Sequence, residues 1–250
     1  MKVIYEPEGA AREYAPLAAN IYRGCVNGCR YCYVPGILRM SPDAFHARVQ
    51  ARPGVLEALT RDAHRLRADQ RAVHLCFTCD PWPPDDQFLV TEPDWTGAAL
   101  EVLVGHDLRV STLTKTPGRA RDHLDLLKAA HAHFGVSLSW VDDAKRVEWE
   151  PGHNQDPAMT VDARLAGLEM ARSAGLSTWA SVEPVIDPDE ALAAILLLSQ
   201  VCDEIRVGRW NHSAEANAID WRAFALEADR MLRAWGKPYI LKRGLAELIR

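Results

Sequence analysis

The feature that most constrains the fold is the alternation of short, apolar, strand-like runs with helical patterns along the whole chain. We predict helices at residues 55–68, 95–105, 119–133, 160–174, 188–200 and 220–235. We predict strands at residues 17–22, 72–78, 108–115, 134–141, 176–182 and 204–208, with a last short strand at 238–241. Such sustained alternation indicates parallel strands joined by right-handed crossovers.

This number of units in 250 residues fits a full or partial barrel better than an open doubly wound sheet. The sequence therefore predicts an α/β fold, a parallel (β/α) barrel that is partial, with six strands and a short seventh. Two helix ends are marked by their residues. Asp94, after Pro93, is the expected N-cap of the second predicted helix, and Gly175 is the expected stop of the fourth.

The chain length indicates one domain over residues 1–250, in which residues 1–16 form a short N-terminal extension. A net charge of -5 predicts no bulk attraction to nucleic acid. The polar N-terminus has no signal-peptide pattern, and the most apolar run, residues 191–198, is too short for a membrane span. We expect a cytoplasmic protein without a membrane partner.

Three cysteines follow the first predicted strand with the spacing CxxxCxxC, at Cys25, Cys29 and Cys32. Thiolates at this spacing can converge from one loop onto three corners of an iron–sulfur cube. Gly24 and Gly28 allow the backbone to curl closely around such a cube. With three protein ligands, one iron stays open to bind and activate a small molecule.

The alternatives are a structural zinc site and a set of unrelated buried thiols. Structural zinc takes four Cys or His ligands, and the only further candidates, Cys76 and Cys79, lie about forty residues on. The nine histidines form no ligand set by their spacing, and His131 and His133 are expected on a helix surface. We therefore favour the iron–sulfur interpretation.

The cysteine spacing, with the aromatic Tyr31 before the last cysteine, resembles the radical SAM (S-adenosylmethionine) superfamily. The wider string from Asn20 to Tyr33 is similar to the spore photoproduct lyase-like branch of that superfamily. So is the segment Asp-Pro-Trp-Pro-Pro at 80–84, where that branch usually carries Thr-Asp-Pro-Tyr-Gln-Pro.

The resemblance implies a [4Fe–4S] cluster on Cys25, Cys29 and Cys32, with S-adenosylmethionine chelated by the open iron. In that superfamily a reduced cluster donates one electron, the sulfonium bond breaks, and a 5′-deoxyadenosyl radical removes hydrogen from the substrate. The cofactors carry this chemistry and the protein binds and orients them. The implied electron donor is a reductant such as flavodoxin or ferredoxin.

The resemblance also implies S-adenosylmethionine ligands at the strand ends. Tyr31 matches an aromatic near the adenine, with packing under the loop as the alternative. The segment 76–81 occupies the place where relatives bind the methionine amino group, which makes Thr78 and Asp80 candidates. Asp80 could instead cap a turn before Pro81.

Cations and serines complete this set. Lys115 and Arg164 are implied partners of the S-adenosylmethionine carboxylate, where a guanidinium fork suits two oxygens. Lys115 could instead be a solvated loop residue, and Arg164 could pair with Glu169 or Asp162 on the helix surface. Relatives use a fourth-strand serine for S-adenosylmethionine, and the candidates here are Ser137 and Ser139. Barrel position alone adds Glu183 and Arg209, with rim charges as their alternative.

Cys76 and Cys79 are candidate hydrogen donors to a product radical. In spore photoproduct lyases a cysteine in this region returns a hydrogen atom to the product radical. The alternative is that they are ordinary buried strand cysteines.

The substrate is only weakly indicated. Tryptophans near predicted strand ends could stack on a base, and nearby cations could contact phosphate; these are Trp82, Trp140, Trp149 and Trp210, with Arg206, Arg209, Lys242 and Arg243. The leading expectation is radical chemistry on a nucleic-acid base, as in DNA photolesion repair. Two alternatives stay open: modification of a nucleoside, peptide or small metabolite, and a non-catalytic zinc- or cluster-stabilised nucleic-acid-binding module.

Overall fold

A computed structural model describes residues 1–83, 94–152, 159–211 and 213–250. Pro84 and Pro93, named above, lie outside these ranges. The strands are β1 (Ile4–Tyr5), β2 (Leu17–Ala19), β3 (Tyr22–Arg23), β4 (Gln50–Ala51), β5 (Val73–Leu75), β6 (Val110–Thr114), β7 (His133–Ser137), β8 (Ser177–Val185), β9 (Glu204–Arg209) and β10 (Tyr239–Leu241). The α-helices are α1 (Val34–Ile37), α2 (Pro42–His46), α3 (Val55–Arg65), α4 (Trp95–Val104), α5 (Leu124–Ala129), α6 (Asp143–Trp149), α7 (Val161–Ser173), α8 (Pro188–Val201), α9 (Trp221–Trp235) and α10 (Arg243–Ala246).

One sheet holds eight of these strands, in the order β1-β2-β5-β6-β7-β8-β9-β10. Neighbours from β2 to β10 pair in parallel, and β1 is antiparallel to β2. Within the described ranges no ladder joins β1 to β10, so the sheet stays open. The predicted α/β fold with a partial parallel barrel is confirmed, and β10 is its short seventh parallel strand.

The core lies where the helices cover the sheet. Strand residues such as Val73, Phe134 and Ile205 are fully buried, and α8 buries Ala194 and Leu198. Parallel sheets are buried because each crossover lays a helix against the sheet. The loops after the strands are left together at the carboxyl edge, which is where sites form in such folds.

Side-chain caps fix the helix ends. Asp94 accepts a hydrogen bond from the amide of Gly97 (2.8 Å) at the start of α4. Thr160 does the same for the amide of Ala163 (3.2 Å) in α7, and Gly175 follows that helix with a φ of +83°. The predicted N-cap and stop are confirmed, because each residue satisfies a backbone group or a backbone angle that the helix end requires.

The first strand is shorter than predicted, and two strands, β1 and β4, were not predicted. Residues 17–22 were expected to form one strand, but β2 ends at Ala19, and β3 belongs to a separate two-stranded sheet with β4. The break occurs at Asn20, whose side chain accepts from the amide of Thr78 (2.9 Å) and donates to the Tyr5 hydroxyl (2.9 Å). These side-chain hydrogen bonds take the place of strand pairing at this point. The length of the strand is therefore set by tertiary contacts and not by the local apolar pattern.

The helix predicted over residues 119–133 is confirmed only up to Ala129, and its last residues are not helical. The chain forms a 3-10 helix over Pro117–His123, then α5, and enters β7 at His133. His131 takes a left-handed φ of +47°, and the amide of Ala132 donates back to the carbonyl of Leu127 (2.9 Å). His133 is therefore a half-buried strand residue, whereas His131 is exposed.

No helix among the described residues is long and apolar enough to cross a membrane.

The close packing around Gly135 in β7 can be tested by substitution. A Cβ atom there would lie 2.3 Å from the Trp179 ring and 2.4 Å from the carbonyl oxygen of Thr112. We expect Gly135→Ala to lower the free energy of unfolding by about 1–3 kcal/mol, because both neighbours are held in the core. Urea denaturation checks this value. The matched control is Gly118→Ala, with no neighbour within 4 Å, which should change stability by about 0.5 kcal/mol or less. Equal values for the two variants would contradict this packing.

Candidate functional site

A cavity of about 430 Å³ opens at the carboxyl edge of the sheet. Twelve of the fourteen residues proposed from the sequence line it: Cys25, Cys29, Tyr31, Cys32, Cys76, Thr78, Cys79, Asp80, Lys115, Ser137, Glu183 and Arg209. The other two, Ser139 and Arg164, do not line it. Most of the residues proposed from the sequence therefore share one cavity, and the role of each stays a prediction.

The cysteine loop is held by main-chain contacts. The amide of Cys25 donates to the carbonyl of Phe45 (3.2 Å), and the amide of Cys32 donates to that of Cys29 (3.0 Å). A Cβ atom at Gly24, where φ is +87°, would lie 2.0 Å from the carbonyl oxygen of Arg48. Glycine is therefore required here, because both the backbone angle and the close approach exclude a side chain.

The three loop thiols are free and face the same cavity. Burial, together with the nearby Asp80, raises the pKa of Cys25 to about 12, and burial also raises the pKa values of Cys29 and Cys32. Among the described side chains, no group of three His, Cys, Asp or Glu could hold a single metal ion. An iron–sulfur cube offers each thiolate a separate corner, so its ligands need a shared cavity rather than a single point.

A buried carboxylate lies beneath this loop, and the sequence analysis missed it. Glu150, directly after α6, has no exposed side-chain surface. One of its oxygens accepts a hydrogen bond from the Tyr31 hydroxyl and lies 3.3 Å from Nζ of Lys115. The other accepts from Arg164, whose second nitrogen donates to the carbonyl of Ser137 (2.9 Å). Glu150 thus connects the cysteine loop, β6, β7 and α7.

This contact corrects the expectation for Arg164. We expected Arg164 either at the S-adenosylmethionine carboxylate or at the surface beside Glu169 or Asp162. Instead its side chain is fully buried and paired with Glu150. A guanidinium in an apolar interior needs a carboxylate partner, and Glu150 is the one within reach. Arg164 therefore fixes Glu150, Tyr31 and Lys115 from below and does not face the cavity.

Ser139 also departs from its expected position. The alternation that placed Ser137 and Ser139 on one inward face assumes a continuous strand, but β7 ends at Ser137. Beyond it the amide of Leu138 bonds to the carbonyl of Ser181 (3.0 Å). The Ser139 hydroxyl is buried without a hydrogen-bond partner among the described residues. Ser137 is the serine that reaches the cavity, and it accepts a hydrogen bond from Lys115 (2.9 Å).

Asp80 ties three loops together. One carboxylate oxygen accepts from the amide of Trp82 (3.0 Å) and the hydroxyl of Thr114 (2.7 Å). The other accepts from the amide of Lys115 (2.8 Å) and the side-chain amide of Asn27 (3.2 Å). The turn-capping alternative is thus present in the structure, and the same carboxylate brings its negative charge to the cavity wall.

Cys76 and Cys79 are adjacent thiols on the cavity wall. The predicted strand over residues 72–78 stops at Leu75 because Cys76 takes a φ of +64°, an unusual angle for a residue other than glycine. A hydrogen bond to Cys76, together with burial, raises the pKa of Cys79 well above its usual range. Cys79 is therefore a neutral thiol with its S–H bond intact at neutral pH.

The opposite wall joins the two ends of the chain. Glu183, near the end of β8, accepts hydrogen bonds from the Tyr14 hydroxyl and the Lys242 ammonium on one oxygen. Nζ of Lys242 also lies 3.2 Å from the centroid of the Tyr14 ring. Burial lowers the pKa of Lys242 in spite of the neighbouring carboxylate. Tyr14 was not predicted, because it lies in the N-terminal segment and has no motif.

Aromatic side chains and one cation fill the rest of this wall. Phe77 and the buried His74 pack together, with 5.7 Å between ring centroids. Burial, together with Arg206 and Lys242, lowers the pKa of His74 to about 3, so this ring is neutral at physiological pH. The guanidinium of Arg209 lies over Trp221, 5.1 Å from the ring centroid, and its Nε has no hydrogen-bond partner among the described residues.

Comparison with known proteins agrees with this geometry. The family described as the radical SAM superfamily matches residues 19–198, which is more than half of the chain. The chain belongs to the radical SAM superfamily. Radical SAM proteins use a [4Fe–4S] cluster and S-adenosylmethionine, and the predicted cofactors are confirmed at this level.

One curated protein and two solved structures illustrate what the chain is similar to. Uncharacterized protein Rv2578c of Mycobacterium tuberculosis is 28% identical over 187 residues, or 72% of this chain and 52% of the relative. Spore photoproduct lyase complexed with dinucleoside spore photoproduct superposes with a TM-score of 0.65 at 17% identity, over 92% of this chain and 76% of that one. SuiB of Streptococcus suis bound to S-adenosylmethionine gives 0.56 at 11% identity, over 76% and 44%. The two structures share the fold, and the chain spans about half the length of its curated relative.

The residues present fit the radical SAM cofactors. Cys25, Cys29 and Cys32 supply three thiols to one cavity, as a cluster with an open iron requires. Among the described residues the Lys115 ammonium has two polar partners, Ser137 and Glu150, and it lies 5.6 Å from the centroid of the Tyr31 ring. Since an ammonium has three donors, one stays available to a carboxylate in the cavity. The cavity thus contains three thiols that could bind iron and, on its wall, the ammonium group of Lys115.

Glu150 provides a test of the network under the loop. Burial alone would raise its pKa, but Arg164 and Lys115 outweigh burial and bring the pKa of Glu150 to about 2. A lowered carboxyl pKa stabilises the fold above its unfolded value, and this contribution is lost as pH falls from about 4.5 towards 2. We expect Glu150→Gln to lower the unfolding free energy at pH 7 by about 3–5 kcal/mol, since it leaves buried cations unpaired.

Urea denaturation at pH 7 and pH 3 checks this expectation. The deficit of Glu150→Gln should be smaller at pH 3, because the wild-type protein is then losing the same contribution. The matched control is Glu227→Gln, whose partner Arg230 is 69% exposed and whose loss should cost less than about 1 kcal/mol. A deficit of that small size in Glu150→Gln would contradict the buried network.

Proposed function

We propose that this protein is an enzyme that cleaves S-adenosylmethionine reductively and uses the resulting radical to abstract hydrogen from a substrate. The observation that carries the proposal is that three thiols of one loop face a cavity lined by strand-end polar groups. When bound, the cluster and S-adenosylmethionine supply the electron and the 5′-deoxyadenosyl radical. The protein holds these groups, orients the substrate and limits access of water.

Five side chains are proposed to position S-adenosylmethionine. The free donor of Lys115 would bind its carboxylate, beside the Ser137 hydroxyl. Thr78 and the negative charge of Asp80 would face its ammonium group, on the wall that the Asp80 hydrogen bonds hold in place. Tyr31 is fixed by its hydrogen bond to Glu150, and its ring would bound the adenine side of the cavity.

The proposed substrate is a nucleic-acid base. The aromatic rings of Tyr14, Tyr33, Phe77 and Trp210 line the cavity and could stack on a planar ring. Glu183 and the unpaired Nε of Arg209 lie on the same wall and could contact the polar edge of a base. The fold likeness to spore photoproduct lyase complexed with a dinucleoside photoproduct supports this choice of class.

Not every residue proposed for nucleic acid is available to it. Trp82 and Trp140 are buried, with 3% and 2% of their surface exposed, and Trp82 donates to His123 (3.0 Å). Arg206 is buried over Trp179, and Lys242 is paired with Glu183. These positions favour an enclosed enzyme cavity over the alternative of a non-catalytic nucleic-acid-binding module, because a binding module needs its cations exposed to phosphate. The fold likeness to SuiB bound to a precursor peptide keeps a peptide substrate as the second candidate.

An anaerobic product screen tests the proposed function. Reconstituted protein should be brown, hold about four irons per chain, and release 5′-deoxyadenosine when reduced with S-adenosylmethionine. Thymine-dimer DNA, RNA, a peptide mixture and bulk metabolites are then compared for substrate-dependent products. Absence of 5′-deoxyadenosine, or tight zinc without iron uptake, would overturn the proposal; turnover of peptide alone would remove the nucleic-acid base.

Alanine variants of the three cluster ligands test the proposed cluster. Replacing Cys25, Cys29 or Cys32 by alanine should abolish 5′-deoxyadenosine release and reduce iron content, because each thiolate holds one corner of the cluster. Iron analysis and chromatography of the nucleoside check both effects. Cys202→Ala is the matched control: this thiol is buried outside the cavity against the carbonyl of Leu198 (3.1 Å), so the variant should keep both.

Alanine variants of Cys76 and Cys79 test their proposed role as hydrogen donors. A thiol S–H bond is weak enough to give its hydrogen atom to a carbon radical, which leaves a sulfur radical behind. Replacing the donor by alanine should preserve release of 5′-deoxyadenosine and change the final product. Mass spectrometry of the products distinguishes the two positions. Unchanged products from Cys76→Ala and Cys79→Ala together would exclude the donor role.

A further inference from the structure

One cation of the cavity wall has no counterion. Among the described residues three cations line the cavity, and two of them are paired: Lys115 with Glu150, and Lys242 with Glu183. The third is Arg209, at the end of β9, which has no ion pair within the described ranges and whose Nε has no hydrogen-bond partner there. Since an arginine stays protonated at physiological pH, Arg209 brings an uncompensated positive charge to the cavity.

The acids that line the cavity do not neutralise this charge. In the part of the chain that the structure describes they are Glu8, Asp80 and Glu183, and no ion pair joins any of them to Arg209. Both oxygens of Asp80 already accept hydrogen bonds from amide or hydroxyl donors, and Glu183 accepts from Tyr14 and Lys242. Glu8 is exposed to solvent. The charge of Arg209 is therefore available to an anion that enters the cavity.

Packing fixes the course of the Arg209 side chain. Its guanidinium carbon lies 5.1 Å from the centroid of the Trp221 ring, which is buried and donates through Nε1 to the carbonyl of Ala216 (2.8 Å). A Cβ atom at Gly244 would lie 2.8 Å from Cδ of Arg209, so the main chain of α10 closely contacts the aliphatic stem. The ring contact uses no N–H donor. The cation is thus held in place, and little side-chain freedom is lost when it binds an anion.

The carboxylate of S-adenosylmethionine is not the anion that this position suits. Its proposed partner is Lys115, directly after β6, whereas Arg209 ends β9. Two strands, β7 and β8, lie between β6 and β9 in the sheet, and neighbouring strands are about 4.8 Å apart. One carboxylate therefore cannot contact Lys115 and Arg209 together. The anion for Arg209 has to come from the substrate.

The residue after Arg209 indicates the chemistry of that substrate. Trp210 also lines the cavity, and its ring is supported edge-on by Trp149, with 5.5 Å between centroids. One strand end therefore brings an aromatic ring and a free cation to the same cavity. A nucleotide carries the matching pair, a planar base and a phosphate joined through a sugar. The neutral edge of a base would leave the charge of Arg209 uncompensated, whereas phosphate oxygens suit a guanidinium fork.

We propose that Arg209 anchors a phosphate of the substrate, so that the substrate is a nucleotide or a stretch of nucleic acid and not a free base or nucleoside. This inference rests on the proposed function, in which the cavity accepts a nucleic-acid base, and it narrows the substrate class. No bond forms or breaks at Arg209. Its role is to bind the phosphate and thereby fix the position of the attached base in the cavity.

Two ligands of similar shape and different charge test this anchor. Thymidylyl-thymidine carries one phosphodiester anion, and its methylphosphonate analogue is neutral. Calorimetry on the reconstituted protein without reductant measures both affinities, because no S-adenosylmethionine is cleaved under these conditions. The test variants are Arg209→Gln and Arg209→Lys. The matched control is Arg61→Gln, which removes the same charge at an exposed residue of α3 that does not line the cavity. Circular dichroism checks that each variant folds.

We expect the wild-type protein to bind the phosphodiester about tenfold to hundredfold more tightly than the methylphosphonate, as hydrogen bonds to a charged group imply. Arg209→Gln should lose this preference and keep its affinity for the methylphosphonate, whereas Arg209→Lys should keep part of the preference. The wild-type preference should shrink as salt rises. The control variant should behave like the wild type. A purely structural role of Arg209 would instead lower both affinities together.

The phosphate anchor would be overturned by an unchanged preference in Arg209→Gln, by an equal loss of affinity for both ligands, or by a wild-type protein that does not bind the phosphodiester. Two further results would assign Arg209 elsewhere and also overturn it. One is a loss of S-adenosylmethionine affinity in Arg209→Gln with the preference intact. The other is binding that depends on Arg209 for a peptide with a free carboxylate but not for the dinucleotide.

A failure of the proposed function gives a different result. A wild-type protein that releases no 5′-deoxyadenosine with dithionite would contradict reductive cleavage of S-adenosylmethionine. The affinities of the two dinucleotides are measured without reductant, so they still decide the phosphate anchor in that case.

Discussion

The buried carboxylate of Glu150 is the interaction on which the candidate site depends. Removing an ionised carboxylate from water is costly, and the structure offsets that cost with Arg164, Lys115 and the Tyr31 hydroxyl. Each partner comes from a different part of the chain. The Glu150 carboxylate therefore fixes the position of the cysteine loop relative to β6 and α7. Lys115 is held in the same way, by Glu150 and Ser137, on the wall of the cavity. These buried contacts support a loop that is itself made largely of irregular backbone.

The sequence predicted the architecture and the cluster loop because both depend on local patterns. Alternating strand and helix signals identify a parallel sheet, the cysteine spacing is contained in eight residues, and the ends of strands indicate the cavity wall. Glu150 has no such pattern. It is a single acid after a short helix, and its burial depends on Arg164 and Lys115, which only the fold brings together. The same limit explains Arg164: its residue type was read correctly as that of a carboxylate partner, but the partner lies within the protein.

Boundaries were hardest to predict where tertiary contacts or unusual backbone angles override propensity. Asn20 ends the first strand through side-chain bonds to Tyr5 and Thr78, and Cys76 ends the second with a left-handed angle. His131 does the same for the helix before β7. Cys76 lines the cavity, and Asn20 bonds to the cavity residue Thr78. Irregular backbone at such places is consistent with a site that has been shaped for binding rather than for regular structure.

The cavity wall formed by Tyr14, Glu183 and Lys242 joins distant parts of the sequence. Tyr14 and Lys242 are separated by most of the sequence, yet both bond to one oxygen of Glu183. Closing a contact between residues so far apart in sequence carries a large entropic cost unless the sheet between them has already formed. The wall therefore depends on the sheet to bring Tyr14 and Lys242 together at β8, so a change that loosens the sheet would also open the substrate side of the cavity.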